Sequence, residues 1–330
     1  LVGQEFAVLL LDCQLDDLLI DSDVPAHGTI YRAVPGRPMK GQGGVFLDTP
    51  DGAAYLRGGK GIRPGEALTV QISGYAEPGK ALPVTDRVLF KGRHAIVTPG
   101  APGVNLSRRV RGDALRDSLL ELGHDAMQGC EMGLILRSAS ADAEPAEIVE
   151  DIAALRRAAQ AGMSDTSHGP ARILGGDGPW RLAWRDWTGP ADIVDAAGGL
   201  ERLDLLDRIL ALRNPRIDLP GGGFAFVEPT RAVVAVDVNT GADASFAAGL
   251  KTNLALARAL PRALRLRGLG GQVVVDLAPM PRKDRRGFET GLRAAFRADP
   301  VDTALAGWTP LGCYELQRKR ARAPLGPLLG

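Results

Sequence analysis

Two apolar runs in the C-terminal half end abruptly in carboxylates: Val233 to Val236 leads into Asp237, and Val273 to Val275 leads into Asp276. Valine-rich runs of this length read as buried parallel strands, and an Asp just past such a run stands where an open sheet meets a ligand crevice. Two carboxylates facing one crevice repel each other unless a proton or a cation lies between them. The stretch from Gly221 to Met280 holds no histidine. Mg2+ is therefore the expected occupant, with Mn2+ as a substitute, because hard carboxylate oxygens suit it and it keeps waters for chemistry. Asn239 follows Asp237 by two residues. On an extended chain it shares the same face, where its amide can orient a carboxylate or donate to a ligand oxygen. Taken singly, each aspartate is better read as a strand-end turn or helix N-cap residue. The Asp-x-Asn spacing together with a second strand-end Asp favours the metal reading.

Other residue types suited to binding lie upstream. The run MGLILRS ends in Arg137 and Ser138, a guanidinium and a hydroxyl that could hold a phosphate, although such dipeptides are usually solvated. Phe46 and Tyr55 fall on neighbouring predicted strands among Arg32, Arg37, Lys40, Arg57, Lys60 and Lys80. Aromatics on a small barrel can stack on bases while cations follow the phosphates. Core packing is the competing reading for each ring.

The elements that must position these groups follow from pattern. The chain has 330 residues, 45% of them hydrophobic, and a formal charge of +1, enough for more than one core and incompatible with a disordered chain. Arginine clusters at Arg108 to Arg111, Arg262 to Arg267, Arg282 to Arg286 and Arg318 to Arg322. Three cysteines, Cys13, Cys130 and Cys313, with no C-x-x-C suggest a reducing compartment and no cysteine zinc site. No run reaches the ~20 apolar residues of a membrane span, and a cytoplasmic protein is expected.

Residues 5 to 21 predict a hairpin at the edge of a larger sheet, and residues 28 to 86 predict short strands spaced by Gly, Pro and Asp turns, as in a small barrel. Helices are expected from about Ala114 to Glu121, over 141 to 162 with Ile148, Ile152 and Leu155 on one face, and from Leu200 to Leu212. Trp180, Trp184 and Trp187 could form a stacking surface, but core packing is the first expectation for them. A helix from Lys251 to Arg267 is expected to kink or divide at Pro261, its terminal arginines being placed to attract phosphate. The run RKRAR after CYELQ reads as a solvated cationic tail.

The stretches GGGFAFVEPTRAVVAVDVNTG, TNLALARAL, LRLRGLGGQVVVD and YELQRKR, in this order, resemble the ribonuclease E / ribonuclease G endoribonucleases. The likeness extends more weakly through MGLILRS, SRRV and the N-terminal barrel. It implies a mixed α/β (α+β), multi-subdomain fold. An RNase H-like part (residues 1–27 and 166–212) would carry an inserted OB-fold RNA-binding barrel (28–86) and a 5′-monophosphate sensor (87–165), followed by a DNase I-like catalytic subdomain (213–330).

By the same resemblance, Asp237 and Asp276 are catalytic Mg2+ ligands and Asn239 supports the first. Arg137 with Ser138, where the family has Thr, binds an RNA 5′-phosphate beside Gly92 and Ile96. Phe46, Tyr55 and Lys80 bind RNA. In the family the second aspartate is usually followed by an Ile-Asp step; here Leu277, Ala278 and Pro279 follow Asp276. The family's C-x-x-C zinc link between protomers has no counterpart, so no zinc is expected and any oligomer would form without it. The expected function is Mg2+-dependent cleavage of single-stranded RNA in processing or decay. The alternatives are an RNA-binding or scaffolding protein of the same fold with weak or no cleavage, and a metal-dependent phosphatase or nuclease acting on DNA.

Overall fold

The computed structural model describes residues 5–36, 43–59, 61–77, 79–164, 169–195, 198–199 and 203–328. They fall into two compact units, Leu1–Ile20 with Asp192–Gly330, and Asp21–Ala191. Arg37, Lys40 and Lys60, read above as cations of the barrel, and Leu200, the start of an expected helix, lie outside the described residues.

In the first unit, β1 (Phe6–Leu11) and β2 (Gln14–Ile20) form an antiparallel hairpin. The expectation that this hairpin edges a larger sheet is not met, because among the described residues its strands pair only with each other. It is held by side chains instead: Leu18 packs with Ile209, Leu266 and Leu325.

The second unit begins with β3 (Ile30–Pro35), β4 (Gly44–Thr49), β5 (Gly52–Arg57), β6 (Leu68–Ile72) and β7 (Leu82–Thr85). They pair in the order β3-β4-β5-β7-β6, and β6 pairs back to β3. The result is a closed five-strand barrel with β5 and β7 parallel, consistent with an OB-like fold. Alternation sends Val45, Leu47, Ala54, Leu56, Val70, Ile72 and Val84 inward and their neighbours outward.

A four-stranded sheet follows, built from β8 (Phe90–Lys91), β9 (Ala95–Thr98), β10 (Val104–Leu106) and, after α1 (Asp113–Ala126), β11 (Gly133–Leu136). Its core includes residues of α1 and of α2 (Pro145–Met163), whose Ile148 and Ile152 are buried as their spacing predicts. Next, β12 (Ala171–Leu174) adds to β3 outside the closed ring, and α3 (Pro179–Asp186) follows.

The chain then returns to the first unit through α4 (Leu205–Ala211), β13 (Arg216–Asp218), β14 (Phe224–Pro229), β15 (Val234–Asn239), α5 (Phe246–Leu266), β16 (Gly271–Asp276), α6 (Arg285–Ala298), β17 (Thr303–Trp308), β18 (Tyr314–Arg318) and α7 (Leu325–Leu328). The sheet order is β13-β14-β15-β16-β18-β17. β15 and β16 run parallel with α5 as their crossover, and the other pairs are antiparallel. Val234, Val236, Val238, Val273 and Val275 pack with Leu256, Leu260, Leu264, Phe288 and Leu292 of α5 and α6 on one face.

Three expectations are corrected here. Of the kink or division expected at Pro261, the division is not met, because α5 runs on through it: Leu256, Leu260 and Leu264 are each 0% exposed, and this burial outweighs the ~3 kcal/mol that an interior proline costs. Of the arginines near the end of α5, Arg265 is not free to attract phosphate, and in RKRAR, read as a solvated tail, Arg318 and Arg322 are held in ion pairs. Arg265 pairs with Asp16 at 3.0 Å, with Asp17 at 3.4 Å and with Asp299, while Arg318 meets Asp299 at 2.9 Å and Arg322 meets Asp17 at 3.1 Å. Arg265 and Arg318 are buried, so these pairs fix the hairpin and strand β18 to α5. Trp180 and Trp184 are not core residues, being 51% and 52% exposed, because α3 buries Pro179 and Ala183 instead.

Candidate functional site

Asp237 and Asp276 are brought together by register. On the parallel pair β15 and β16 they are direct partners, and partners in register share a face. Burial alternates along β15, with Val236 and Val238 inside and Asp237 exposed, and along β16, with Val275 inside and Asp276 exposed. The aspartates therefore project from the sheet face opposite the helices. Asp237 lies inside its strand rather than beyond the end, a difference from the crevice geometry expected of it.

Asn239 donates from Nδ2 to Asp237 Oδ2 at 2.8 Å. This hydrogen bond fixes the carboxylate's rotation and leaves its other oxygen for a ligand. The chain leaving Asp276 is held by Asn253 of α5, which is 0% exposed. Its Nδ2 donates to Ala278 O at 2.8 Å, and its Oδ1 accepts from Ala278 N at 3.1 Å. Gly249, one turn earlier on α5, lets this segment approach, since a Cβ there would stand 2.2 Å from Pro279 O. Sequence reasoning missed Asn253 as a positioning residue. A polar residue directly before the apolar run LALARAL, on the helix that the same stretch predicts, was the available signal, because a buried amide must find partners.

Among the described residues no cluster of three or more His, Cys, Asp or Glu could enclose a metal. Two carboxylates on an open face fit an ion that takes few protein ligands and fills its remaining positions with water and substrate oxygens, which is how Mg2+ binds. They do not fit a closed four-ligand zinc site.

The neighbouring strands continue this face. Phe226 on β14 is the register partner of Asp237 and Phe224 that of Asn239; on β13, Arg216 partners Phe226 and Asp218 partners Phe224. The two rings meet edge to face with centroids 5.7 Å apart. The Arg216 guanidinium stacks 3.8 Å from the Phe224 centroid and pairs with Asp218 at 2.9 Å.

In the other unit, Arg137 at the end of β11 is surrounded by acceptors. Its Nη1 donates to the carbonyls of Gly92 at 2.6 Å, Arg185 at 3.1 Å and Arg93 at 3.3 Å, and its Nη2 to Asp186 Oδ1 at 2.9 Å. Arg185 also bonds Asp186, through Nη2 to Oδ2 at 2.9 Å. Burial alone would raise the Asp186 pKa, but the hydrogen bonds and charges of Arg185 and Arg137 outweigh it and hold the carboxyl below its ordinary value. Ser138, half-buried, begins a short 3-10 turn that directly follows Arg137. Gly92 is brought to Arg137 through its carbonyl, and a Cβ there would meet Asp151 Oδ1 at 2.2 Å. Asp151 is held close because it accepts from His94 N at 2.8 Å and Ala95 N at 3.1 Å. Ile96 pairs with Lys91 and Ile135 across the sheet.

On the barrel, Phe46 and Tyr55 are register partners on the outward face, half-buried, with ring centroids 5.2 Å apart. Gly44 leaves room for the phenol, since a Cβ there would stand 2.4 Å from the Tyr55 hydroxyl. Lys80 is 67% exposed and pairs with Glu77 at 2.5 Å. It precedes β7, whose Pro83 partners Tyr55. Arg32, read above with the barrel cations, is buried and donates to Gly169 O at 2.6 Å. Among the described residues no helix is long and apolar enough to cross a membrane.

The profile of the Ribonuclease E/G family matches residues 90–190 and 195–321. A ribonuclease E of Nostoc sp. is 30% identical over 99% of this chain and 56% of its own length. A ribonuclease E of Synechocystis sp. is 26% identical over 99% of this chain and 55% of its own. The ribonuclease G of Escherichia coli K12 is 26% identical over 92% of this chain and 74% of its own. The chain thus spans little more than half the length of these two ribonuclease E relatives.

Proposed function

The chain belongs to the ribonuclease E/G family, and from that premise we propose that it is an endoribonuclease that cleaves single-stranded RNA, in RNA processing or decay in the cytoplasm, at Asp237 and Asp276. The observation that carries the reading is the in-register pair of exposed carboxylates, with Asn239 fixing the rotation of the first. Asp237 and Asp276 would hold Mg2+, with Mn2+ as a substitute. When bound, the ion supplies a nucleophilic water and offsets charge developing on the scissile phosphate. Asn239 keeps one oxygen of Asp237 turned toward the ligand, and Asn253 keeps the chain beyond Asp276 in place, so the two carboxylates remain a fixed distance apart.

The barrel would hold the RNA strand through Phe46 and Tyr55 as stacking surfaces and Lys80 as a phosphate contact, with weak base preference. Arg137 with Ser138, beside Gly92 and Ile96, would read an RNA 5′-monophosphate. A phosphate reaches the Arg137 guanidinium by taking the place of the Asp186 carboxylate, an exchange of one anion for another.

The test is cleavage of a 5′-monophosphorylated A/U-rich RNA with Mg2+ by the wild type and by Asp237→Asn and Asp276→Asn. Site-specific cutting by the wild type and none by either variant is expected. Tight binding without cutting by the wild type would favour an RNA-binding protein of the same fold, and equal cutting by the variants would move the chemistry elsewhere.

A further inference from the structure

Four neighbouring strands place Arg216, Phe226, Asp237 and Asp276 in one transverse row on the open sheet face, each the register partner of the next. Adjacent strands lie about 4.8 Å apart, so Phe226 stands one strand spacing from the first carboxylate and Arg216 two, roughly 10 Å away. The second row, Asp218, Phe224 and Asn239, lies beside it.

Inside a core this arrangement would have no purpose, because the apolar core is on the opposite face with α5 and α6. Phe224 and Phe226 are only half-buried, on the same side as two carboxylates and a guanidinium. Aromatic rings flanked by a cation, beside a centre that would hold a phosphate, are the components of a single-strand binding track: the ring faces take bases and the cation takes phosphate oxygens. The edge-to-face packing of Phe224 against Phe226 at 86° restrains the Phe226 ring, which lowers the entropy lost when a base settles on it. Arg216 is likewise held, by the Phe224 face and by Asp218.

We propose that RNA crosses this sheet along the row, with the base next to the cleaved phosphodiester stacked on Phe226, backed by Phe224, and a phosphate further along the strand held by Arg216. The proposal rests on the reading of Asp237 and Asp276 as the cleavage centre and adds to it the residues that seat the flanking nucleotide. Phe226 and Arg216 are binding and positioning residues; the chemistry stays with the carboxylates.

The test separates binding from cleavage. The probes are a short 5′-monophosphorylated A/U-rich RNA and a set of the same RNA with an abasic residue placed at each position in turn. Binding is measured by fluorescence anisotropy in EDTA, and cleavage kinetics are measured with Mg2+. Phe226→Leu keeps an apolar side chain on the sheet but removes the ring. Its Kd for the intact RNA is expected to rise on the order of ten-fold, with recovery in Phe226→Tyr and an unchanged melting temperature. One abasic position should weaken wild-type binding by a similar factor and leave Phe226→Leu unaffected. Arg216→Gln should make Kd less steeply dependent on salt, by about one phosphate contact.

An intact-RNA Kd equal in wild type and Phe226→Leu overturns the proposal, as does an abasic penalty that persists undiminished in Phe226→Leu. Binding in EDTA needs neither metal nor chemistry. Full cleavage by Asp237→Asn would therefore sink the carboxylate reading while leaving the stacking result to be judged alone.

Discussion

The carboxylate pair on the sheet and the guanidinium at the end of β11 are both charged centres, and they differ in how their charge is matched. Asp237 and Asp276 are like charges opposed in register on an exposed face, with Asn239 as the donor to one of them. Arg137 faces three carbonyls and a carboxylate, and that carboxylate is itself shared with Arg185. The first centre gains most when a cation arrives. The second is already satisfied by the protein and holds α3 against the sheet of β8 to β11, so a ligand there must displace an internal partner. Residue types suited to binding do not by themselves distinguish an open site from a filled one; the surrounding acceptors do.

The sharpest test of that contrast sets activity against stability. Asp276→Asn is expected to lower single-turnover cleavage on the order of a thousand-fold, with a melting temperature equal to or above that of the wild type, because like-charge repulsion is relieved. Arg137→Ala should do the reverse. It strips hydrogen bonds from Asp186 and three carbonyls, a loss of about 2–3 kcal/mol of stability, while cleavage of an RNA with a 5′-hydroxyl is little changed. A normal denaturation midpoint for Arg137→Ala would mean that the pocket is poised for ligand rather than locked by α3.

A smaller effect follows from pH. The Asp186 carboxyl is held below its ordinary value of 3.8 by Arg185 and Arg137 against the opposing effect of burial. A depressed carboxylate pKa contributes stability that is fully present above the unfolded value and is lost as pH falls through the folded one. Hydrogen exchange in α3 should therefore be flat from neutral pH to about pH 5 after correction for intrinsic rates, and protection should fall below pH 4. Asp186→Asn should abolish that acid transition. Its persistence would assign the acid sensitivity to another carboxylate.

The carboxylate site was legible in sequence because an apolar strand that stops at an aspartate breaks its own pattern. Its register was not: that Asp237 stands opposite Asp276 depends on a parallel pairing across the whole of α5, which periodicity does not encode. The strands of the barrel were legible through short runs between Gly, Pro and Asp turn residues, whereas the later return of β12 to β3 was not. The arginines misled. Arg265 looks like any helix-end cation until Asp16, 249 residues away, is found beside it. Trp180 and Trp184 misled in the opposite sense, because side-chain size suggested burial while the short helix α3 spent its inner face on Pro179 and Ala183.

The barrel carries the smallest expected effects and extends the contrast to a more exposed surface. Phe46 and Tyr55 touch each other on the outer wall, but Lys80 is 67% exposed and its partner Glu77 lies three residues away. An exposed pair of this kind contributes little to folding, so Lys80→Ala should leave thermal stability unchanged. Its charge acts on RNA at longer range. Removing it should weaken binding of a single-stranded RNA about two-fold at low salt and flatten the dependence of log Kd on log salt by up to one phosphate contact. Phe46→Ala should weaken binding several-fold without altering that slope, because stacking releases no counterions. If Phe46→Ala changed the slope as much as Lys80→Ala, the ring would be ordering a cation rather than seating a base, and the barrel would belong with the Arg137 centre, where side chains serve one another first.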